Sequence, residues 1–476
     1  MVWLTSILCI YLFQIVTIVL LEYRRPSKAV AWLIILFIFP LIGFVMYYFL
    51  AQEYKKRKLV RKKEKQALNL DEKKERVYTQ EPESAASMRS EFLRKEPRLF
   101  RLLDSFPEAP ITCRNETTVL TNAEKTYAAM LQAMEQAQHH IHVESYIVRD
   151  DIIGRTFRDV LERKSREGVE VRVIVDGVGS YHLPSDYLLS LRRAGANAEI
   201  FLPPSLAFFD KRMNYRNHRK IVVVDGRVGF VGGINIGDEH LGADAKLGFW
   251  RDTHLRIIGE AVHTLQDTFL TDWFFVSGET VSGDVYVPPY AGTGEEEVQI
   301  ITSGPDKHWD AILEMYFAAI CAAREKVYLT TPYFIPDASI GMALKVAAAS
   351  GADVRIIIPG TPDSKLVHWA SLSYLEELME AGVRFYQYQK GFVHAKTMVV
   401  DDMLASVGTA NLDLRSFFSN FELNAVLFHG ESIRRLAEDF AQDLRDSKQV
   451  TLEAFRHRPR LARGREMVAR LLSPLL

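Results

Sequence analysis

A chain of 476 residues, 48% hydrophobic and 25% charged, is long enough for two or three folded domains, which excludes a disordered tail or a disulfide-held miniprotein. Its 59 Lys and Arg stand against 60 Asp and Glu, and a net charge of −1 disfavours a strongly basic nucleic-acid binder as a reading of the whole chain. That average hides a segregation: residues 1–65 hold 11 basic and 3 acidic residues, residues 456–476 hold 6 Arg and 1 Glu, and the body between them carries −14.

The chain opens with two uncharged runs, Val2 to Leu21 and Ala29 to Leu50, of 20 and 22 residues. Each is long enough for a hydrocarbon core about 30 Å thick, so the sequence predicts a two-helix transmembrane hairpin over residues 1–50. A cleaved signal peptide fits less well, because nothing basic precedes the first run and no small-x-small site follows it. After the second run come Lys55, Lys56, Arg57, Lys58, Arg61, Lys62, Lys63 and Lys65, against Arg24, Arg25 and Lys28 in the connecting loop. That excess places the body on the cytoplasmic side of a multi-pass protein, with the basic flank against an anionic membrane surface. Residues 51–110 read as this flank and a charged linker.

Beyond the linker the chain is written twice, which predicts two α/β domains over 111–280 and 281–455. Gly168-Val-Glu-Val-Arg-Val-Ile-Val-Asp-Gly177 matches Gly351-Ala-Asp-Val-Arg-Ile-Ile-Ile-Pro-Gly360, and Tyr187-Leu188 with Ala194-Gly195 matches Tyr374-Leu375 with Ala381-Gly382. Continuous β-branched runs such as Val171 to Val175 suit buried strands alternating with helices. A connector rich in Gly, Pro and acid, Ser277 to Glu297, separates the halves, and residues 456–476 read as a basic amphipathic tail.

Late in each half one polar pattern recurs: His218-x-Lys220-x4-Asp225-x6-Gly232-Gly233-x-Asn235, then His394-x-Lys396-x4-Asp401-x6-Gly408-Thr409-x-Asn411. Residues two apart on a strand share a face, so His and Lys project together. Gly232 and Gly408 permit a tight turn that aims Asn235 and Asn411 back toward the histidines as phosphate or site support. Imidazole is a nucleophile for phosphorus and, protonated, a general acid, while Lys neutralises non-bridging oxygens. One copy supplies a nucleophile without an acid for the leaving oxygen; two copies facing one another supply both. A lone histidine on a strand is ordinarily a packed core or surface residue, but two full copies at one place in a repeat are not explained that way. Metal binding is disfavoured by the lysine beside each histidine and by the lack of an i,i+4 histidine pair, so no metal or cofactor is expected.

A histidine nucleophile needs a carboxylate on its other nitrogen. The candidates are the motif aspartates Asp225 and Asp401, which can alternatively be packing anchors, together with Asp252 and Glu422, 34 and 28 residues after the histidines of their own halves.

The doubled motif resembles the HKD signature of the phospholipase D superfamily over residues 111–440. Within that superfamily the chain is similar to bacterial cardiolipin synthases, on the N-terminal runs, Asn217-His-Arg-Lys-Ile221, Gly232-Gly-Ile-Asn-Ile236, Ser303-Gly-Pro305, Thr331-Pro-Tyr-Phe334 and the terminal Leu471-Leu-Ser-Pro-Leu-Leu476. The resemblance implies one active site between two phospholipase D-like domains, built from His218, Lys220, Asp225, His394, Lys396 and Asp401, with Asp252 and Glu422 orienting the histidines. It implies transfer of a phosphatidyl group between two phosphatidylglycerol molecules through a phosphatidyl-histidine, giving cardiolipin and glycerol, in a bacterial cell membrane. It suggests His218 as nucleophile and His394 as acid and then base, a choice the residues themselves leave open. Many superfamily members carry Gly-Ser where this chain has Gly232-Gly233 and Gly408-Thr409, so only the second half keeps a hydroxyl there. A phospholipid hydrolase shares the same intermediate. A membrane-tethered nuclease shares the chemistry, but the −14 body lacks the basic channel it needs.

Overall fold

The computed structural model describes residues 2–23, 26–48, 96–203, 215–290, 292–307, 310–428 and 430–476. The basic run Lys55 to Lys65, with residues 49–95 as a whole, lies outside the described residues.

The strands of the first half are β1 (Ile111–Thr112), β2 (Asn115–Thr121), β3 (His140–Ser145), β4 (Glu170–Asp176), β5 (Asn197–Phe201), β6 (Ile221–Val224), β7 (Val228–Gly232), β8 (Phe249–Arg251) and β9 (Thr253–Gly259). Those of the second are β10 (Glu297–Ser303), β11 (Lys326–Thr330), β12 (Asp353–Pro359), β13 (Arg384–Tyr388), β14 (Gly391–Val393), β15 (Thr397–Val400), β16 (Leu404–Gly408), β17 (Glu422–Phe428) and β18 (Ser447–Val450). One sheet runs β2-β9-β7-β6-β3-β4-β5 and the other β1-β10-β17-β16-β15-β11-β12-β13-β18. With β10 standing for β2, β17 for β9 and so on, the seven-strand order is identical, and β1 and β18 extend the second sheet at its edges. The repeat in sequence is therefore a repeat of topology.

Both sheets are mixed. β3-β4-β5 and β11-β12-β13 are parallel and their other neighbours antiparallel. Parallel neighbours require crossovers, supplied by helices Ile152–Arg166 and Ser185–Arg193 in the first half and by Ala338–Ala349, Lys365–Leu372 and Leu375–Glu380 in the second. The repeat glycines show why they recur: Gly168 and Gly351 follow equivalent helices with φ of +95° and +103°, a conformation that a side chain would strain.

Each sheet packs its outer face on its own helices. The inner faces share one core, where Ile221, Val223, Leu255 and Ile257 meet Val399, Val407, Leu423 and Ala425. Burying each large aliphatic side chain is worth roughly 1.5–3 kcal/mol, so this seam sets how the halves face each other.

The transmembrane hairpin expected from the two uncharged runs is not what the structure shows: among the described residues no helix is long and apolar enough to cross a membrane. The second run is divided into helices Pro26–Ile38 and Pro40–Met46, and the 13-residue piece rises only about 20 Å. Pro40 has no N–H to continue the first of these helices and starts the second instead. The first run forms helix Val2–Leu21. Ile18, Ala29, Trp32, Leu36 and Tyr47 make a small core against which Leu475 packs, so the two ends of the chain meet. The C-terminal helix Arg460–Leu472 docks on helix Lys365–Leu372, with Arg458 held by Glu466 at 2.6 Å, while Leu461, Met467, Val468 and Leu471 remain exposed.

Candidate active site

β6 and β15 each begin just after a His-x-Lys, and both strands line the seam between the halves. The backbone N–H of His218 donates to the carbonyl of Phe421 at 2.9 Å, and that of His394 to the carbonyl of Arg251 at 2.7 Å. β14, which leads into His394, also pairs in parallel with β8, which leads into Asp252. Each motif histidine is thus stitched to the residue preceding a carboxylate of the opposite half.

That stitching crosses the pairs. His218 Nδ1 lies 2.9 Å from Glu422 Oε2, and His394 Nδ1 lies 2.7 Å from Asp252 Oδ2. The sequence had placed Asp252 and Glu422 with the histidines of their own halves; the structure exchanges them. With Nδ1–H given to a carboxylate, the tautomer is fixed and Nε2 carries the lone pair. The lysines face the same region, each donating to its own histidine's carbonyl, Lys220 to His218 at 2.7 Å and Lys396 to His394 at 2.6 Å. Tyr146 lies edge-on to His218 with ring centroids 4.8 Å apart, and Lys220 sits 5.4 Å over the Tyr146 ring.

Burial dominates the electrostatics. It pushes His218 and His394 down to about 4, against the opposing pull of Glu422 and Asp252. Lys396 further depresses His218, and Lys220 further depresses His394, which reports how closely the two motifs converge. Burial alone would raise Glu422, but His218, Lys220 and Thr409 bring it down to about 2. Asp252 is likewise held below its ordinary range, because His394 and Lys396 outweigh its burial. Lys220 and Lys396 are pushed down by burial to about 7 and about 8. At neutral pH the free site therefore holds two neutral imidazoles, each backed by an ionised carboxylate, with lysines poised near their titration.

The motif aspartates were grouped with the catalytic residues, with a packing anchor as the alternative, and their contacts are those of an anchor. Asp225 accepts the backbone N–H groups of Gln138, His139 and His140, and Asp401 those of Arg324, Glu325 and Lys326. Both occupy left-handed turns, with φ of +53° and +49°, at the far ends of β6 and β15. Each ties that turn to the entry of the neighbouring strand, β3 or β11, and neither contacts a motif histidine. Asn235 and Asn411 are buried; Asn235 Oδ1 accepts the N–H of Ile147 at 3.3 Å, beside Tyr146, and the N–H of Asn411 donates to Ser416 Oγ at 3.2 Å.

The Gly233 and Thr409 asymmetry has a local cause. A Cβ on Gly233 would stand 2.1 Å from Asp252 Oδ1, so the shorter carboxylate uses the space that a side chain fills in the other copy. In that copy Thr409 Oγ1 donates to Glu422 Oε2 at 2.5 Å, and Asn420 Nδ2 to Glu422 Oε1 at 3.1 Å.

Two buried arginines brace the carboxylate strands: Arg251 bonds Asp443 at 2.8 Å and Thr253 Oγ1 at 2.8 Å, and Arg219 pairs with Asp272 and reaches the carbonyl of Glu422 at 3.3 Å. Sequence reasoning missed these. For Arg251 the available signal was Asp439 and Asp443, four apart on the apolar stripe of an amphipathic helix.

Comparison with known proteins agrees with this architecture. A family described as "Cardiolipin synthase, PLD-like domain" matches residues 130–273 and 316–444, and one described as "Phospholipase_D-nuclease N-terminal" matches residues 7–52. A cardiolipin synthase of Geobacillus sp. (strain WCH70) is 46% identical over 96% of this chain and 91% of its own length. The major cardiolipin synthase of Bacillus subtilis (strain 168) is 40% identical over 97% of this chain and 96% of its own. A phosphatidylserine synthase of Haemophilus influenzae Rd KW20 shares the fold at 15% identity, with a TM-score of 0.60 over 80% of this chain and all of that one.

Proposed function

The chain belongs to the cardiolipin synthase family of phospholipase D-like proteins, and we propose on that premise that it transfers a phosphatidyl group from one phosphatidylglycerol to another at a membrane surface, releasing glycerol. The observation that carries this reading is the crossed pair of histidine–carboxylate contacts, which supplies two oriented imidazoles to one seam.

In the first step His218 Nε2 attacks phosphorus, a P–N bond forms and the P–O bond to the headgroup glycerol breaks. The departing oxygen takes a proton from His394 Nε2, a proton that the bound phosphodiester anion helps His394 to hold. In the second step a hydroxyl of another phosphatidylglycerol attacks phosphorus, its proton passes to His394, and the P–N bond breaks to restore His218. Lys220 and Lys396 balance the charge on the non-bridging oxygens, with Asn235 and Asn411 as further support. Glu422 and Asp252 fix the tautomers and stabilise whichever imidazole is cationic.

Transfer between lipids requires the seam to lie where lipid is dense. Trp3, Phe13, Leu20, Phe37, Leu41 and Ile42 are exposed on the N-terminal helices, an apolar surface larger than a solvated protein ordinarily carries. The C-terminal helix, with Arg460, Arg463, Arg465 and Arg470 beside its exposed apolar residues, touches helix Pro26–Ile38, so basic groups stand next to this apolar surface. On this reading that side rests on anionic lipid from the cytoplasm. A cavity of about 510 Å³ lies on this side, between the termini and helix Leu414–Phe418, lined by Trp32, Arg415, Phe418 and Leu476 among others.

The purified enzyme given only phosphatidylglycerol is expected to make cardiolipin and free glycerol in equal amounts with little phosphatidic acid, and excess glycerol should return cardiolipin to phosphatidylglycerol. Phosphatidic acid as the dominant product at every lipid density would make the protein a hydrolase; release of nucleotides from single-stranded DNA at a comparable rate would make it a nuclease.

A further inference from the structure

Next to His394 lie two rings that the reaction as written does not use. His240 is 2% exposed and Trp250 8%. Their ring centroids are 4.5 Å apart, at 6.1 Å and 5.2 Å from that of His394. Among the described residues, neither nitrogen of His240 and not the indole N–H of Trp250 has a hydrogen-bond partner, although all three are buried. The nearest carboxylate, Glu239, stands 3.8 Å from His240 Nε2, outside hydrogen-bonding distance. Buried polar nitrogens are ordinarily satisfied, and three without partners on two touching rings beside a reacting imidazole mark a place that a bound molecule completes.

We infer that His240 and Trp250 form a hydroxyl-recognition subsite for the glycerol headgroup handled by His394. The inference rests on the transfer reaction proposed above. In that reaction the alcohol at His394 is a glycerol both times: the leaving group departs through a terminal oxygen, and the acceptor attacks through a terminal oxygen. In both cases the next carbon carries the secondary hydroxyl. A single pair of hydrogen-bonding rings beside His394 therefore reads the same secondary hydroxyl in each half of the cycle. Water has no such group, so the subsite favours lipid transfer over hydrolysis by orienting the alcohol.

The test runs the reaction backwards, with cardiolipin in mixed micelles and an excess of either glycerol or 1,3-propanediol, which lacks the secondary hydroxyl. The readout is the ratio of phosphatidyl-alcohol formed from the two alcohols, which does not depend on the absolute rate or on the fraction of folded protein. The wild-type enzyme should prefer glycerol by about tenfold, the scale of one well-placed hydrogen bond. His240→Phe, which keeps a ring of similar shape, should bring the ratio close to one, His240→Gln should recover part of the preference, and Trp250→Phe should lower it. A wild-type ratio near one, or an unchanged ratio in both His240→Phe and Trp250→Phe, overturns the subsite while leaving the transferase reading intact. Formation of phosphatidic acid alone by the wild-type enzyme overturns that reading and the subsite with it.

Discussion

Glu422 Oε2 lies 2.9 Å from Nδ1 of His218, a histidine 204 residues earlier in the opposite half of the molecule. Asp252 makes the reciprocal contact with His394, so each half orients the imidazole of the other. Removing a carboxylate from one half should therefore disable the histidine of its partner.

Glu422→Gln and Asp252→Asn are each expected to lower kcat by about 10³ to 10⁴, since an amide can hold the imidazole in the wrong tautomer and cannot stabilise its cation. Rapid-quench trapping on labelled lipid should separate the two. The Glu422 variant should lose formation of the histidine adduct, whereas the Asp252 variant should slow both release of glycerol and attack by the second lipid. The same split is expected of His218→Ala and His394→Ala. Near wild-type turnover in any of the four would contradict a shared site.

Asp225→Asn and Asp401→Asn should behave differently, because these side chains hold three backbone N–H groups apiece and touch neither histidine. Each is expected to cost about 1–3 kcal/mol in denaturant unfolding. Turnover per folded molecule should stay within severalfold of wild type at low temperature. A loss of several orders of magnitude in a fully folded variant would return the aspartates to the chemistry.

The HKD pattern was legible because it is doubled, and its spacing correctly put His and Lys side by side at strand starts. The role of its aspartate was not, since the residues it binds belong to another strand whose register no local pattern encodes. The exchange of Asp252 and Glu422 was hidden for the same reason: it follows from β8 lying beside β14, a pairing of three residues on each side, and from the bridge between Asn217 and Phe421. Absence of charge over residues 29–50 measured only apolar length, and Pro40 decided how much of it forms one helix. The seven-strand order shared by the halves was implicit in the repeat, whereas the added edges β1 and β18 have no counterpart in the other sheet.

The lysines give a pH dependence of definite sign. Burial lowers Lys220 to about 7, while in the unfolded chain it titrates near its ordinary 10.5. Between those values the unfolded state binds a proton that the folded state lacks, so stability rises with pH across the window and is lost as pH falls through about 7. Against Lys220→Met, wild type should gain stability as pH rises from 7 toward 10, by at most about 1.4 kcal/mol per pH unit. Paired urea titrations at pH 7, 8.5 and 10 provide the comparison; a difference that stays constant would show that Lys220 is not proton-poor when folded. The alkaline limb of kcat/KM should also fall lower than that of kcat, because bound phosphate anion helps the lysines keep their protons.

Gly233 tests the fit between carboxylate length and the turn facing it. Gly233→Thr should abolish activity, because its Cβ would stand 2.1 Å from Asp252 Oδ1 and must displace that carboxylate. Adding Asp252→Glu, which copies the Thr409 and Glu422 arrangement, should restore part of it. A Gly233→Thr enzyme as active as wild type, or no recovery in the double variant, would sink this account.

The exchange of carboxylates also governs when the protein first becomes active in its life. While the chain is still being made, His218 leaves the ribosome 204 residues before Glu422 is translated, and Asp252 waits 142 residues for His394. A nascent or truncated polypeptide carries a complete-looking motif and yet has no oriented imidazole, so it cannot open phosphodiesters in the membrane that it is approaching. Competence therefore arrives only when translation has delivered the second half and the seam has closed.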